Sequence, residues 1–398
     1  MFQAKLSQGT CALVSRSFAS LLSAAACVAS LSLFVASTAS ASLWESDDWA
    51  LIGDLAGSVT YDSNVFGFRD GEGDTIFGVT PALTLQRKAS ASDIKIIAQA
   101  TRRSFADLSD QNSTDPSILV NFQYPNTGEA LVQHRARLGW SRQKDRDYSI
   151  GNRLERTELE GSWQGVLRDN GKTRIIANLG GRDTSYGDFR SDVASYDAGV
   201  GLAWARHELF EYTATLNYLR SEYSDFRGQA GDTTLNGYSL NIGARGEFTP
   251  KITGEASIGF GENKYSGGIG GSDMNWFTSA NVAWQATERR QLSLDARRAT
   301  YFDALDTAYN RLQAGLSFRQ AMAGGFASVL RAGIGEYDYS DSGSNRKDTF
   351  VRLGAGLEYS LTGRLAAGLD FNWTDKDSDR EDFTFSQYEI IGRASWRF

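Results

Sequence analysis

Alternation of apolar and polar side chains with a period of two, repeated along almost the whole chain, limits the available folds more than any other feature of this sequence. In Thr157-Glu-Leu-Glu-Gly-Ser-Trp-Gln-Gly-Val-Leu167, one face carries Thr157, Leu159, Gly161, Trp163, Gly165 and Leu167, and the other carries Glu158, Glu160, Ser162 and Gln164. That period belongs to a β-strand with two unlike faces. Asp169-Asn170-Gly171, a hairpin signal, follows it. The partner run then sets Ile175, Ala177 and Leu179 against Arg174 and Asn178. Eighteen such strands are predicted, over 50–61, 74–87, 93–105, 117–124, 129–142, 154–167, 173–186, 192–205, 210–222, 235–248, 252–263, 274–286, 291–301, 308–319, 326–338, 348–360, 365–375 and 384–398. Short joins such as 125–128, 206–208, 249–251 and 361–363 alternate with longer polar ones such as 107–115, 222–234 and 375–382.

An even strand count with short turns at one end and longer loops at the other describes an all-β, antiparallel up-and-down barrel of the outer-membrane type. The competing fold is a soluble β-sandwich, whose apolar faces would pack on each other and carry mainly aliphatic residues. Tryptophan placement separates the two. Seven of the nine Trp fall in strands, all on the apolar phase: Trp140, Trp163, Trp204, Trp276, Trp284, Trp373 and Trp396. Trp163, Trp204, Trp284 and Trp396 lie beside short turns or the C-terminus, and Trp140, Trp276 and Trp373 beside long loops. Two aromatic girdles bounding an aliphatic band are what a lipid-facing wall requires, and a sandwich core has no reason to sort its aromatics to both rims. Composition agrees: 12% aromatic residues, 41 Gly and only 4 Pro suit strands and tight turns whose backbone N–H groups are needed in ladders. Pro81 lies mid-strand and is expected to mark a bulge or kink.

Residues 1–41 read as a signal peptide. Lys5 and Arg16 precede or flank an apolar core over 18–36, and Ala39-Ser40-Ala41 predicts cleavage after Ala41. Lipoprotein processing at Cys27 is the weaker alternative, because Ala24-Ala25-Ala26 lacks the usual Leu. Both cysteines, Cys11 and Cys27, lie in that segment, so the mature chain needs no disulfide. A short periplasmic segment (42–49) would then lead into a barrel over 50–398 with both termini periplasmic. After cleavage 39 basic residues face 48 acidic ones, a net charge of −9 that argues against nucleic acid as a partner.

Eighteen strands enclose a lumen too wide for side chains to fill. Its candidate functional residues are the inward arginines Arg135, Arg137, Arg174, Arg245, Arg297, Arg311, Arg319, Arg331, Arg352 and Arg393, joined by Lys95, Arg103, Arg182 and Arg397. Ten inward acids oppose these fourteen: Asp54, Glu158, Glu160, Asp197, Glu211, Glu255, Asp295, Glu358, Asp370 and Glu389. Two readings follow: arginine rings that contact an anionic or polyhydroxylated passenger, or arginines and acids that pair across strands and stiffen the wall. No loop exceeds about a dozen residues and no plug domain precedes the first strand, so the pore is expected to be open or closed by a partner.

Catalytic and cofactor chemistry is not expected. His207 lies in a short turn, and His134 falls on the lipid phase as a girdle residue or the mark of a slipped register. Asp375, Asp377 and Asp379 have calcium-loop spacing, but Arg380 stands where the turn Gly belongs, so a solvated loop is expected. An outer-surface lipid hydrolase would need His134 beside a nucleophile and an orienting acid, which the sequence does not supply.

The closing strand places Tyr388, Ile390, Gly392, Ala394, Trp396 and Phe398 on the lipid face. A last strand ending in Phe398 resembles the signal by which bacterial outer-membrane proteins are recognised by the barrel assembly machinery. The stretches "GSVTYDSNVFGF" (57–68) and "IFGVTPALTLQRK" (76–88) resemble the β-barrel porins of the "porin 2" type, outer-membrane proteins found with capsule and exopolysaccharide operons. Tyr61, Asp62, Asn64, Val65 and Phe66, with Pro81 and Leu83, carry the likeness. The resemblance implies a part in exporting a surface polysaccharide with a periplasmic export protein as partner. A diffusion porin for small hydrophilic solutes is the alternative, and an outer-membrane lipid-modifying enzyme a remote one.

Overall fold

The computed structural model describes residues 42–398 except 90, 127–129, 148–150, 170–171, 188–191, 208, 225–232, 267–270, 303–307 and 340–345. The expected signal peptide, its cleavage after Ala41 and Cys27 lie outside the described residues. A two-residue strand, β1 (Trp44–Glu45), folds back on the start of β2 through Trp44↔Leu51.

The wall then runs β2 (Trp49–Asp62), β3 (Asp74–Lys88), β4 (Asp93–Phe105), β5 (Ser113–Tyr124), β6 (Val132–Asp147), β7 (Asn152–Asp169), β8 (Thr173–Tyr186), β9 (Val193–His207) and β10 (Phe210–Tyr223). It continues with β11 (Thr233–Thr249), β12 (Ile252–Ser266), β13 (Gly271–Thr287), β14 (Arg290–Phe302), β15 (Ala308–Ala321), β16 (Phe326–Asp338), β17 (Lys347–Ser360), β18 (Leu365–Ser378) and β19 (Phe385–Arg397). Each strand pairs antiparallel with its sequence neighbours, and β19 pairs with β2. The result is a closed ring of eighteen strands, β2–β19.

Closure satisfies the backbone of the first and last strands, which would otherwise be open edges. At the seam Trp396 pairs with Leu55. Phe398 N donates to Gly53 O at 2.9 Å, and Gly53 N donates back at 3.0 Å. The Phe398 ring lies over Gly53, where any Cβ would collide with it. Both ends of the ring's strand order therefore meet at the short-turn end.

The outward phase is the apolar one. Trp140, Trp204, Trp276 and Trp284 are exposed, as are Leu138, Leu159, Leu179, Leu240, Ile258, Leu330 and Ile334; Trp163, Trp373 and Trp396 are half-buried by neighbouring side chains. His134 stacks on Trp163 with ring centroids 5.8 Å apart, on this outer face. It is a girdle residue.

Three turns at the short-turn end share one chemical device. Thr249, Thr287 and Thr362 each accept hydrogen bonds at Oγ1 from backbone N–H groups two or three residues on, as in Lys251 N at 3.3 Å, Arg289 N at 3.3 Å and Arg364 N at 3.1 Å. A hydroxyl that ties down the turn backbone lets the chain reverse in few residues.

Three local expectations are corrected. Pro81 marks no inserted residue: β3–β4 pairing lapses at Thr80 and Pro81 but resumes in the same register, from Val79↔Arg102 to Ala82↔Gln99. Thr80 Oγ1 and Thr101 Oγ1, 2.9 Å apart, hydrogen-bond across the lapse. Asp375 and Asp377 belong to β18, paired with Ser386 of β19 and Thr349 of β17, not to a loop. Most consequential, 143–147 and 152–153 are not loop: β6 runs on to Asp147 and β7 starts at Asn152, and the two stay paired as far as Asp147↔Asn152.

Candidate functional site

The inward phase of the strands forms the lumen, with a cavity of about 1660 Å³ lined by β4 to β14. Six of the ten expected arginines meet carboxylates there. Glu211 on β10, only 5% exposed, is held between Arg174 of β8 and Arg245 of β11. Glu160 takes Arg137 at 3.0 Å and Arg182 at 3.5 Å, and Arg182 also reaches Glu158 at 3.2 Å. Across β15–β19 a chain of pairs runs Arg319–Glu358 (2.5 Å), Glu358–Arg393 (3.1 Å), Arg393–Asp370 (3.1 Å) and Asp370–Arg331 (3.2 Å). Arg103 meets Asp115 at 2.7 Å and Arg397 meets Asp54 at 2.8 Å.

Arg135, Arg297, Arg311 and Arg352 form no ion pair among the described residues. Arg297 and Arg311 lie 5.7 and 5.8 Å from the Tyr301 ring centroid, and Arg352 lies 4.4 Å from that of Phe350. Of the ten arginines, six thus take part in cross-strand ion pairs, as one of the two readings expects, and four do not. Partners sit where the stagger of the barrel brings them: Arg319 and Glu358 lie two strands apart.

The remaining inward positions of β7–β13 are largely neutral. Gln164, Asn178, Asn217, Asn241 and Asn263 line the cavity together with serines and threonines. Several face a glycine across the ladder, as in Asn217↔Gly199, Asn241↔Gly259 and Asn263↔Gly237. A Cβ on Gly199 would stand 2.5 Å from Asn217 Oδ1, and one on Gly237 2.8 Å from Asn263 Oδ1; at Gly259 it would collide with Asn241 Oδ1. The amides therefore lie down against the wall, over the bare glycine backbone.

The long-loop mouth holds what the sequence reading missed. Pairing between β5 and β6 stops at Ser117↔Ser141, next to Pro116, which has no N–H to give, and pairing between β7 and β8 stops at Arg156↔Tyr186. Beyond those points 142–147 and 152–155 form the two strands of a hairpin that leaves the wall. It folds inward across the mouth. Arg146 donates through Nε to Val65 O at 2.7 Å and through Nη1 to Gln387 Oε1 at 2.8 Å, and it pairs with Asp62. These partners lie on β2, β19 and the loop after β2. Across the hairpin from Arg146, Arg153 donates to Gln111 O at 3.0 Å and to Lys144 O at 2.6 Å.

Residues of the Tyr-Asp-x-Asn-Val-Phe stretch form the seat. Asp62 Oδ1 accepts Asn64 N at 2.9 Å; Asn64 Oδ1 accepts Gly67 N at 2.8 Å, and its Nδ2 donates to Phe68 O at 2.8 Å. This knot buries Val65 to 1% exposure and aims its carbonyl at Arg146. Gly151, at φ +63° in the hairpin, sits against the Phe68 ring with no room for a Cβ. The mouth is therefore narrowed by a segment of this chain itself, where a pore either open or closed by a partner was expected.

Beside the seat lies a buried ionic cluster. Asp348, with no exposed surface, accepts from Arg346 at 2.8 and 2.5 Å, from Lys376 at 2.8 Å and from Ser378 Oγ at 2.6 Å. Arg346 stacks 3.7 Å from the Phe383 ring centroid, and Tyr309, Tyr337, Tyr339 and Phe350 pack alongside. Among the described residues no group of three or more His, Cys, Asp or Glu is placed to hold a metal ion.

A closed antiparallel ring with an apolar, Trp-bounded exterior and a hydrophilic lumen is an outer-membrane β-barrel of porin-like architecture. The chain belongs to the family described as "Putative beta-barrel porin 2", whose model matches residues 47–393. Similar solved structures include two variants of the FrpB iron transporter from Neisseria meningitidis. The F5-1 apoprotein is 12% identical with a TM-score of 0.50, covering 83% of this chain and 62% of that one. The F3-3 variant is 12% identical with a TM-score of 0.49, covering 85% and 64%. The siderophore receptor PirA from Pseudomonas aeruginosa is 11% identical with a TM-score of 0.47, covering 87% and 80%. Likeness at this identity is of fold alone, and this chain spans less than two thirds of the FrpB chains it matches. No curated protein matches it.

Proposed function

We propose that this barrel is the outer-membrane passage for a surface exopolysaccharide, handed to it by a periplasmic export protein at the short-turn end. The observation that carries this reading is the lumen, a hydrophilic space walled by amides, hydroxyls and internally paired charges. Such a wall offers many weak contacts and no deep trap, as conduction requires. On this reading the termini are periplasmic, the barrel assembly machinery inserts the chain after its signal peptide is removed, and the protein conducts without catalysing. The outward stacking of His134 on Trp163 supports the last point.

A diffusion porin for small solutes is the second reading, favoured by the inward hairpin at the mouth. Surface-attached and released polysaccharide, measured in a strain lacking the gene and in its complemented counterpart, separates the two. Loss of surface polymer restored by complementation supports export. Unchanged polymer with slower uptake of small solutes supports the porin.

A further inference from the structure

We propose that the inner wall of β7–β13 is a binding track for an uncharged polyhydroxylated chain, in preference to a polyanion. The inference deepens the conduit reading, on which it rests, by naming the class of passenger. A polyanion needs a wall with unspent positive charge. Here Arg174 and Arg245 are committed to Glu211, and Arg137 and Arg182 to Glu160. Counted on β7–β13 alone, the inward cations Arg174, Arg182 and Arg245 stand against Glu158, Glu160, Asp197, Glu211 and Glu255, so this part of the wall carries no excess of positive charge. A polyanion entering it would lose hydration without gaining a fixed counter-charge.

What the wall offers in quantity is neutral. A side-chain amide donates and accepts at once, and a sugar hydroxyl does the same, so each amide matches a hydroxyl in either orientation. Gln164 Nε2 gives one hydrogen to Asn178 Oδ1 at 3.0 Å and keeps a second. The amide–glycine pairs add the geometry. With Asn217, Asn241 and Asn263 laid over Gly199, Gly259 and Gly237, the polar edges run along the wall without projecting into the bore. A sliding chain then meets successive shallow sites of similar depth. Phe277, lying across Gly261, gives the cavity an aromatic surface against which the C–H face of a sugar ring can rest.

The test uses the full mature barrel in a planar bilayer, with current block read for a linear neutral maltooligosaccharide and for an oligogalacturonate of equal length. The expected result is block by the neutral chain at about tenfold lower concentration, and about tenfold weaker block by that neutral chain in the double variant Asn217→Leu, Asn241→Leu, because each change removes the amide's donor and acceptor without adding charge. If the double variant does not insert, Asn178→Leu is read the same way. Stronger block by the anionic chain, no block by either, or a variant indistinguishable from the parent overturns the proposal. The bilayer readout does not depend on export. A confirmed neutral preference with unchanged surface polymer in the deletion strain would leave the track standing and refute the conduit.

Discussion

Asp348 shows how much a single inward carboxylate can be asked to hold. Two cations and a hydroxyl converge on it in a site without solvent. Removing one partner of such a cluster leaves the others charged and buried, which is far costlier than losing an exposed pair. Asp348→Asn is expected to destabilise the folded barrel by about 3–5 kcal/mol, read from the urea midpoint of the protein refolded in lipid. A change below about 1 kcal/mol, the size of an exposed pair, would mean that water reaches the cluster. Gly237→Ala tests the opposite kind of residue. Its methyl would displace the Asn263 amide from the wall, and single-channel conductance is expected to fall with little change in stability. At this scale the sequence was half legible. Alternation assigned Arg319, Arg393 and Glu358 to the inward phase, but which acid meets which arginine depends on the stagger between strands that are not sequence neighbours.

Most strands could be read to within a few residues, and β8 and β16 to the residue, because lipid on one side and water on the other write opposite preferences on alternate positions. Where both faces see polar surroundings, that signal vanishes. Gln143-Lys-Asp-Arg-Asp147 has no apolar phase and looks like a loop, although it is extended and paired with β7. The hairpin built from it is held chiefly by Arg146. Arg146→Ala removes the pair to Asp62 and the bonds to Val65 O and Gln387, an anchorage on the order of 3 kcal/mol. The expected outcome is a larger and noisier single-channel conductance, with new protease cleavage within 142–155 in otherwise intact barrels. Conductance unchanged while the hairpin becomes cleavable would show that it does not set the width.

The ring as a whole was the most legible level, because the even strand count, the two girdles and the polar inward phase are all consequences of a wall between lipid and water. What the lumen would favour was not legible, since it follows from how the charges cancel. Pairing still leaves four more inward cations than inward acids around the whole ring, so the intact pore should favour chloride over potassium only a few-fold, and less so as salt is raised. A strongly anion-selective pore would mean that the arginines are not neutralised as placed.

The inward hairpin has one more consequence. Among the described residues it crosses the mouth towards β2 and β19, which reduces the opening there from a full circle to a lane. A lane of fixed breadth is indifferent to how long a thread is and sensitive to how thick. On the conduit reading, length would place no limit on a linear passenger, whereas a single bulky side branch would.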